Sequence, residues 1–348
     1  MKLLMLLLAA LTFTSACSPG ESPAADNSDA APVAAPAVES PAPSLGVTPE
    51  NYAAAETARN FRNWVKLGAD KQLVHMRDLP PRGTAAPTVQ MNDDTLYSSA
   101  IVEAVEGKVQ FSIPEVDVYM AVQVVTEGGH GQHYVVDAGE YDLPVETPFA
   151  FLIYRTGTEQ GLDASRQAQD KIDSEVLHFG NYELPNFDFD EVDAWTSRLT
   201  AETQGKPFAY TFPRTSADVT DLHQWNLENA NGWGGSSPDV GVANLYTNSV
   251  FLSADDCLRT TFADPESKYF TSITAYDQDR YLIEGVNNVN SHRWVANDDG
   301  TITVSFNCGD DAPNNIDTKG HDFSFTMRYY GVRQNVVDGD IAPEMTVQ

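Results

Sequence analysis

The chain has 348 residues, of which 42% are hydrophobic and 10% aromatic, and these fractions are too high for an intrinsically disordered protein. Its 21 basic and 50 acidic side chains give a formal charge of −29, which argues against nucleic-acid binding because phosphates would be repelled. Three cysteines are too few for a disulfide scaffold, and no apolar run reaches the roughly 20 residues of a transmembrane helix. We therefore expect a soluble, strongly acidic globular protein.

The N-terminus has the pattern of a bacterial lipoprotein signal. Residues 1–16 combine one lysine, an apolar stretch and a small-residue triplet, which is typical of a secretory signal peptide. Cys17 follows the triplet directly, as in a lipobox, so we expect its thiol to be acylated and to anchor the mature protein in a lipid bilayer. Ser18, in place of aspartate, favours the outer membrane facing the periplasm. The alternative is ordinary signal cleavage, with Cys17 incidental.

The rest of the chain divides by composition and periodicity. Residues 17–50 are acidic and rich in proline and alanine, which predicts a disordered tether. We expect an N-terminal β-sandwich domain at 51–160, a helical connecting region at 161–235 and a second β domain at 236–348. The fold class is thus mainly β with a helical middle.

Individual elements follow from the spacing of apolar residues. Apolar residues at helical spacing predict helices at 52–67, 162–177, 187–199 and 219–227. Alternating residues between turn signals predict strands at 88–91, 97–104, 109–113, 118–126, 132–136, 140–143, 149–154, 240–246, 257–262, 270–275, 293–296, 301–306 and 323–330.

Four segments resemble known bacterial sequences. Asn-Asp-Asp-Thr-Leu-Tyr-Ser at 92–98, followed by residues 119–124, resembles the bacterial domain of unknown function 1254. Residues 269–277, 297–304 and 327–330 resemble its partner, the domain of unknown function 1214. The resemblance implies an immunoglobulin-like antiparallel sandwich followed by a jelly-roll-like β-sandwich. It implies no established reaction, and we expect no cofactor.

The first candidate site lies in the segment that carries this resemblance. Asn92, Asp93, Asp94 and Tyr97 place two carboxylates beside an amide and a phenol, which could bind a sugar or a hard cation. Asp93, Asp94 and Tyr97 are also candidate catalytic residues, because one buried carboxylate of a pair can do acid–base work. The alternative is that these side chains only form the turn into a strand.

Two further patterns concern histidine and cysteine. His130 and His133 lie in a glycine-rich stretch and are weak candidates for metal ligands; the alternative is a hairpin with solvated histidines. If Cys17 is acylated, Cys257 and Cys308 remain as an even pair, which favours a structural disulfide in an oxidising compartment. The alternative is a nucleophilic thiol paired with His292 or His321.

Aromatic and basic residues complete the candidates. Trp233, Tyr276 and Arg328 could stack against a small molecule or saccharide together with Asn92, Asp94 and Tyr97, or they could simply pack the protein. No nucleophile elbow, phosphate-binding loop or dinucleotide fingerprint is present. The first hypothesis is therefore an outer-membrane lipoprotein with a ligand-binding or envelope-organising role. The second is a periplasmic enzyme acting on a small molecule or saccharide between its two β domains.

Overall fold

A computed structural model describes residues 44–202, 211–233, 239–285, 287–339 and 341, together with the backbone of 207–208 and 345–347. From residue 43 onward the chain forms one compact unit. Within the described part, no helix combines the length and apolar character that crossing a bilayer requires.

The N-terminal half is built on a five-stranded antiparallel sheet. Its elements are α1 (Tyr52–Val65), β1 (Val74–His75), β2 (Thr95–Glu103), β3 (Lys108–Ile113), β4 (Met120–Thr126), β5 (Gly131–Val135), β6 (Gly139–Pro144) and β7 (Phe149–Gly157). The sheet order is β1-β2-β7-β4-β5, while β3 and β6 form a separate two-stranded sheet. Apolar side chains of β3, such as Phe111, pack against Val122 and Leu152 of the large sheet. This packing gives a sandwich-like arrangement and covers one face of the sheet.

Three helices follow the N-terminal sheet in the chain. They are α2 (Leu162–Gln169), α3 (Phe189–Glu202) and α4 (Leu222–Gly232), with the short β8 (Pro207–Phe208) between the last two. Tyr52 of α1, Val192 of α3 and Leu227 of α4 meet in one apolar cluster. Phe61 and Trp64 of α1 instead contact the second face of the N-terminal sheet. Helix α1 therefore joins the helical layer to the sheet.

The C-terminal half is a β-sandwich. Its elements are β9 (Asn244–Asn248), β10 (Leu258–Ala263), β11 (Phe270–Tyr276), β12 (Asn288–Asn290), β13 (Thr301–Phe306), β14 (Asn315–Ile316), β15 (Ser324–Tyr330), the single turn α5 (Gln334–Val337) and β16 (Met345–Val347). One sheet has the order β12-β11-β15-β9-β8 and the other β14-β13-β10-β16. Ile273 and Met327 of the first sheet and Ile302 and Phe306 of the second share a buried core.

The predicted fold class, mainly β with a helical middle, is confirmed, but three predicted elements are wrong. Residues 88–91 are not a strand, because Gln90 has a φ of +52° that no extended residue adopts. The helix expected at 162–177 ends at Gln169, where Asp, Lys and Ser residues follow that favour turns. Residues 293–296 are not a strand, since Arg293 and Trp294 donate backbone hydrogen bonds to the carbonyl of Asn290.

Part of the expected tether belongs to the packed structure. The backbone N–H of Leu45 donates to the carbonyl of Asn186 (2.7 Å), and the N–H of Asp188 donates to the carbonyl of Leu45 (3.0 Å). The N–H of Val47 donates to the Glu191 carboxylate (2.8 Å). Residues 45–47 thus lie against the start of α3, ahead of the boundary expected at residue 50. Residues 1–43, which include the expected signal peptide and Cys17, lie outside the described residues.

The disulfide between Cys257 and Cys308 is confirmed. The two residues lie just before β10 and just after β13, neighbouring antiparallel strands, and their Cα atoms are 4.7 Å apart. That spacing is well within the range that a disulfide spans. Both thiols are consumed, so the alternative of a nucleophilic cysteine paired with His292 or His321 is wrong.

Candidate functional site

One sheet of the C-terminal sandwich has an apolar face and a polar face, and both are buried. Along β15, Met327 and Tyr329 point into the sandwich core, whereas Arg328 and Tyr330 point to the opposite side, as strand alternation requires. Residues of the N-terminal half cover that opposite side, since Tyr119 contacts Tyr330 and Gln90 accepts a hydrogen bond from Arg328. The protein therefore contains a buried polar layer between its two halves.

We call this layer the seam. On its C-terminal side Arg328 lies between Ser272 and Tyr246 in the strand register. On its N-terminal side Arg155 of β7 lies between Tyr97 of β2 and Ala121 of β4. All of these side chains are buried. The seam brings two arginines that are distant in sequence into one interior region.

Arg328 is held by neutral groups. Its side chain is 1% exposed, and Nη2 donates to the carbonyl of Gln90 (2.6 Å). Its guanidinium lies over the rings of Tyr246 and Tyr276, 4.8 and 5.5 Å from their centroids. Nε and Nη1 are buried and have no hydrogen-bond partner among the described residues. The left-handed conformation of Gln90, which ended the predicted strand, aims its carbonyl at this arginine.

Arg155 lines a cavity of about 40 Å³, which we call the aromatic cavity. Arg155 is 2% exposed, and its Nη2 donates to Oε1 of Gln123 (2.9 Å). The cavity is otherwise lined mainly by apolar and aromatic side chains: Trp64, Val89, Met91, Tyr97, Phe151, Ile153, Trp233 and Tyr246. A cation therefore faces a space with apolar walls.

The tyrosines of the seam do not neutralise these cations. Burial raises the pKa of Tyr97 and raises the pKa of Tyr134 to about 12. Burial likewise raises the pKa of Tyr276 and of Tyr330, well above the ordinary range. At neutral pH all four are therefore uncharged phenols. They can donate or accept hydrogen bonds, but they supply no negative charge to Arg155 or Arg328.

A polar cavity of about 120 Å³ lies at another part of the boundary between the two halves. Its lining side chains come from both halves of the protein: Asp94, Thr158 and Glu159 from the first, and Phe270, Asn290, His292 and Arg293 from the second. Asp94 is 3% exposed and accepts hydrogen bonds from the amides of Asn288 (3.2 Å) and Asn290 (2.7 Å). Asp94 thereby ties β12 to the start of β2.

The remaining residues of the 92–97 segment have structural partners. Oδ1 of Asn92 accepts the backbone N–H groups of Asp94 and Thr95 (2.9 Å each), and its amide donates to the hydroxyl of Tyr97 (2.7 Å). Asp93 turns away and forms a two-pronged ion pair with Arg82 (2.8 and 2.9 Å). Asn92 thus builds the turn into β2, and the adjacent carboxylates of Asp93 and Asp94 take different partners.

Other predicted residues of the site also reach the seam. Tyr276 donates its hydroxyl hydrogen to the carbonyl of Met91 (2.8 Å), across the two halves. Trp233 donates from Nε1 to Thr57 (3.0 Å) and contacts Phe151 at the rim of the aromatic cavity. The structure therefore brings the six predicted ligand-binding residues to the seam: Asn92, Asp94, Tyr97, Trp233, Tyr276 and Arg328. Tyr97 and Trp233 line the aromatic cavity and Asp94 lines the polar cavity, whereas the other three residues pack around these spaces.

The two histidines take different partners. His130 stacks on Trp225 (5.2 Å between centroids), and its Nδ1 is 3.8 Å from the Glu146 carboxylate. Nε2 of His133 is bonded to the carbonyl of Pro144 (2.7 Å). Burial lowers the pKa of both rings. Among the residues that the structure describes, no three His, Cys, Asp or Glu side chains gather as a metal site would require.

A serine–histidine contact elsewhere is structural in character. Oγ of Ser98 lies 2.8 Å from Nδ1 of His75, a spacing that nucleophilic catalysis also uses. However, Ser98 is fully buried and its hydroxyl also accepts a hydrogen bond from Gln169 (3.0 Å). A substrate could not reach this hydroxyl without displacing α2.

Sequence reasoning missed several residues of the seam. Arg155 interrupts an otherwise apolar strand, and Asn288 and Asn290 alternate around a buried valine, so a polar residue inside a strand pattern was the available signal. Arg328 interrupts β15 in the same way, and it is one of the residues that the sequence predicts for the site. His292 and Arg293 follow β12 in a turn and carry no comparable signal.

The comparisons with known proteins support the fold. Residues 71–175 match the model of a family described as a protein of unknown function, DUF1254. The chain is 14% identical to a Vibrio parahaemolyticus protein of known crystal structure, with a TM-score of 0.61 over 86% of this chain and 97% of that one. A putative uncharacterised protein from Burkholderia cenocepacia is also 14% identical, with a TM-score of 0.52 over 86% of this chain and 87% of that one. No curated protein matches.

Proposed function

We propose that this protein is a lipid-anchored binding protein of the bacterial envelope that takes the carboxylate of a small apolar molecule into its aromatic cavity. The observation that carries the proposal is the fully buried guanidinium of Arg155 in the wall of a cavity with apolar and aromatic sides. A guanidinium presents its N–H donors in a planar fork, and a ligand carboxylate can accept such donors in charge-assisted hydrogen bonds. Arg328 adds a second cation in the same seam.

The size of the cavity limits what enters it. A cavity needs roughly 10–15 Å³ to hold one water molecule. The aromatic cavity, at about 40 Å³, therefore accommodates a group of a few heavy atoms. That volume suits a carboxylate with a short chain rather than a saccharide ring. Trp64 and Trp233 would then contact the apolar part of the ligand.

Straight-chain carboxylates from acetate to hexanoate, compared with the matching primary amides, test this proposal. We expect the acids to bind the mature chain in calorimetry and to raise its unfolding temperature, and the amides to do neither, because only the acids carry the charge. Loss of a charged hydrogen bond is worth about 1.5–3 kcal/mol, so Arg155→Met should weaken binding about 10- to 100-fold.

Two further variants make that experiment decisive. Arg155→Lys keeps the charge and should bind with intermediate affinity, which serves where Arg155→Met folds poorly. Arg198→Met is the control, since Arg198 is an exposed arginine over the ring of Trp195, and it should bind like the wild type. Equal binding of acids and amides, or unchanged affinity in both Arg155 variants, would refute the proposal.

The envelope location rests on Cys17 and the signal sequence before it. We expect Cys17→Ser to move the protein from the membrane fraction to the soluble periplasmic fraction, because the serine hydroxyl is not acylated. Fractionation followed by immunoblotting measures this shift, and a variant at Ser18 that leaves the cysteine intact is the control. Continued sedimentation of Cys17→Ser with the membrane would show that another part of the chain holds it there.

The C-terminal half completes this proposal as the partner domain of unknown function 1214. Its support is the resemblance of residues 269–277 and 327–330 to that domain and their position in one buried sheet with the seam. An enzyme is the less favoured alternative. Asp94 and His292 do line one cavity, but both oxygens of Asp94 accept amide hydrogens, which suits a fixed binding group better than a proton-transfer group.

A further inference from the structure

The polar cavity around Asp94 has features that the proposed carboxylate site does not use. Asp94 is almost completely buried, and in the described part of the chain no Lys or Arg nitrogen forms an ion pair with it. Its two hydrogen-bond donors, Asn288 and Asn290, are uncharged. A buried carboxylate whose hydrogen-bond partners are neutral amides has no counterion beside it, an arrangement that is costly in a protein interior.

The orientation of Asn290 adds a second, independent observation. Its amide nitrogen faces Oδ1 of Asp94 at 2.7 Å, and turning the amide over would bring two oxygens together. The carbonyl oxygen of Asn290 must therefore point elsewhere. That oxygen is buried and has no hydrogen-bond partner in the described structure, although Asn290 lines the cavity and is only 4% exposed.

The neighbouring Asn288 has no unpartnered carbonyl oxygen of this kind. Asn288 donates to both Asp94 and Thr274, and its Oδ1 accepts from Arg293. Its hydrogen-bonding capacity is therefore well used. Asp94 and Asn290, which both line the cavity, therefore have more acceptor capacity than the donors bonded to them in the described structure use.

The charge of the lining side chains favours a cation in this space. The lining side chains include the two carboxylates of Asp94 and Glu159 against the one guanidinium of Arg293. Phe270 forms an aromatic wall, with its ring 5.3 Å from that of His292. One face of the Phe270 ring is stacked on Tyr330 (4.0 Å between centroids), so the attraction of this space for an organic ammonium group comes mainly from the two carboxylates.

From this combination we infer that the polar cavity is a second ligand site, and that it binds a primary ammonium group. A primary ammonium has three N–H donors, which match the acceptor oxygens of Asp94, Asn290 and Glu159. The volume of about 120 Å³ accepts a small amine of a few heavy atoms. The site is separate from the aromatic cavity, so it does not depend on the proposed carboxylate function.

Methylammonium chloride is the probe that tests this inference. Titrated into the mature chain at constant ionic strength, it should bind saturably with one site in calorimetry and raise the unfolding temperature. Tetramethylammonium, which has the same charge and no N–H donor, should bind at least about 10-fold more weakly, because charged hydrogen bonds are lost. Potassium chloride at equal concentration should give no saturable binding. Equal binding of all three cations would overturn the inference.

Variants locate the site. Asp94→Asn removes the charge at nearly constant shape and should weaken methylammonium binding about 10-fold or more. Asp277→Asn is the control, since Asp277 likewise accepts two N–H donors, here from the backbone, but does not line the cavity, and it should bind like the wild type. Where Asp94→Asn folds poorly, Glu159→Gln should show a several-fold loss. Unchanged affinity in both cavity variants would overturn the inference.

The carboxylate site in the aromatic cavity and the ammonium site in the polar cavity can be refuted independently of each other. Saturating hexanoate should leave methylammonium affinity in place, and Arg155→Met should retain it. Loss of methylammonium binding in Arg155→Met but not in Asp94→Asn would place the ammonium in the aromatic cavity and overturn the inference.

Discussion

Replacing Arg82 with methionine should destabilise the protein by about 3 kcal/mol at neutral pH. Arg82 forms the two-pronged ion pair with Asp93, whose side chain is only 10% exposed. Methionine fills a similar volume but leaves the carboxylate buried without its cation. Denaturant unfolding at pH 7 measures the loss, and it should appear as a lower midpoint with an unchanged slope.

The loss should depend on pH with a definite sign. Burial already raises the pKa of Asp93 above its ordinary value, and Arg82 is the main group that opposes this rise. Without Arg82 the folded-state pKa rises further above the unfolded one, so the folded state binds the proton more tightly. The destabilisation is then full at neutral pH and shrinks as the pH falls through the folded-state pKa toward about 4.

The double variant Arg82→Met/Asp93→Asn separates charge from packing. It has no ionisable group at position 93, so its stability relative to the wild type should recover at neutral pH and vary less between pH 4 and 7. If Arg82→Met were equally destabilised at every pH, the cost would come from lost packing or from the lost hydrogen bond to Pro80, and the buried charge would not be its cause.

Removing the disulfide should cost about 4 kcal/mol in the chain-entropy model, because Cys257 and Cys308 close a loop with a sequence separation of 51. The double variant Cys257→Ala/Cys308→Ala, unfolded by denaturant in parallel with the oxidised protein, gives the value. Reduction of the wild type with dithiothreitol should approach the same stability.

Comparing the double variant with the reduced wild type tests whether loss of the cross-link causes the destabilisation. Dithiothreitol should have no further effect on the double variant, since Cys17 forms no part of this cross-link. A double variant as stable as the oxidised wild type would mean that the pairing of β10 with β13 already restricts the unfolded chain, and that the loop-closure account is wrong here.

Much of the β architecture was predictable because it depends on local patterns. An apolar or alternating run of residues predicts each of the long strands, and the structure has a strand there: β2, β4, β7, β11 and β15. The strands β1, β8, β12, β14 and β16 were not predictable, because each has only two or three residues and exists through its pairing with a longer neighbour.

The site was harder to predict than the fold. Asp94 and Tyr97 were selected from the motif that carries them, but their partners Asn290 and Arg155 come from strands far away in the sequence. Asp93 and Asp94 look equivalent as neighbours, and only the fold decides that one faces Arg82 and the other a cavity. Such pairing depends on strand register, which periodicity does not reveal.

The polar face of the sheet that contains Arg328 has a consequence for motion. Most interior interfaces resist separation because parting them exposes apolar surface to water. Here the surfaces that would part carry arginine, tyrosine, asparagine and serine side chains, which water solvates well, beside a small apolar cluster that includes Ala121 and Ala243. The two halves can therefore separate at a lower free-energy cost than an apolar interface of the same area, while each keeps its own hydrophobic core intact. Access to a buried binding site would then require a hinge movement between two intact halves rather than local unfolding.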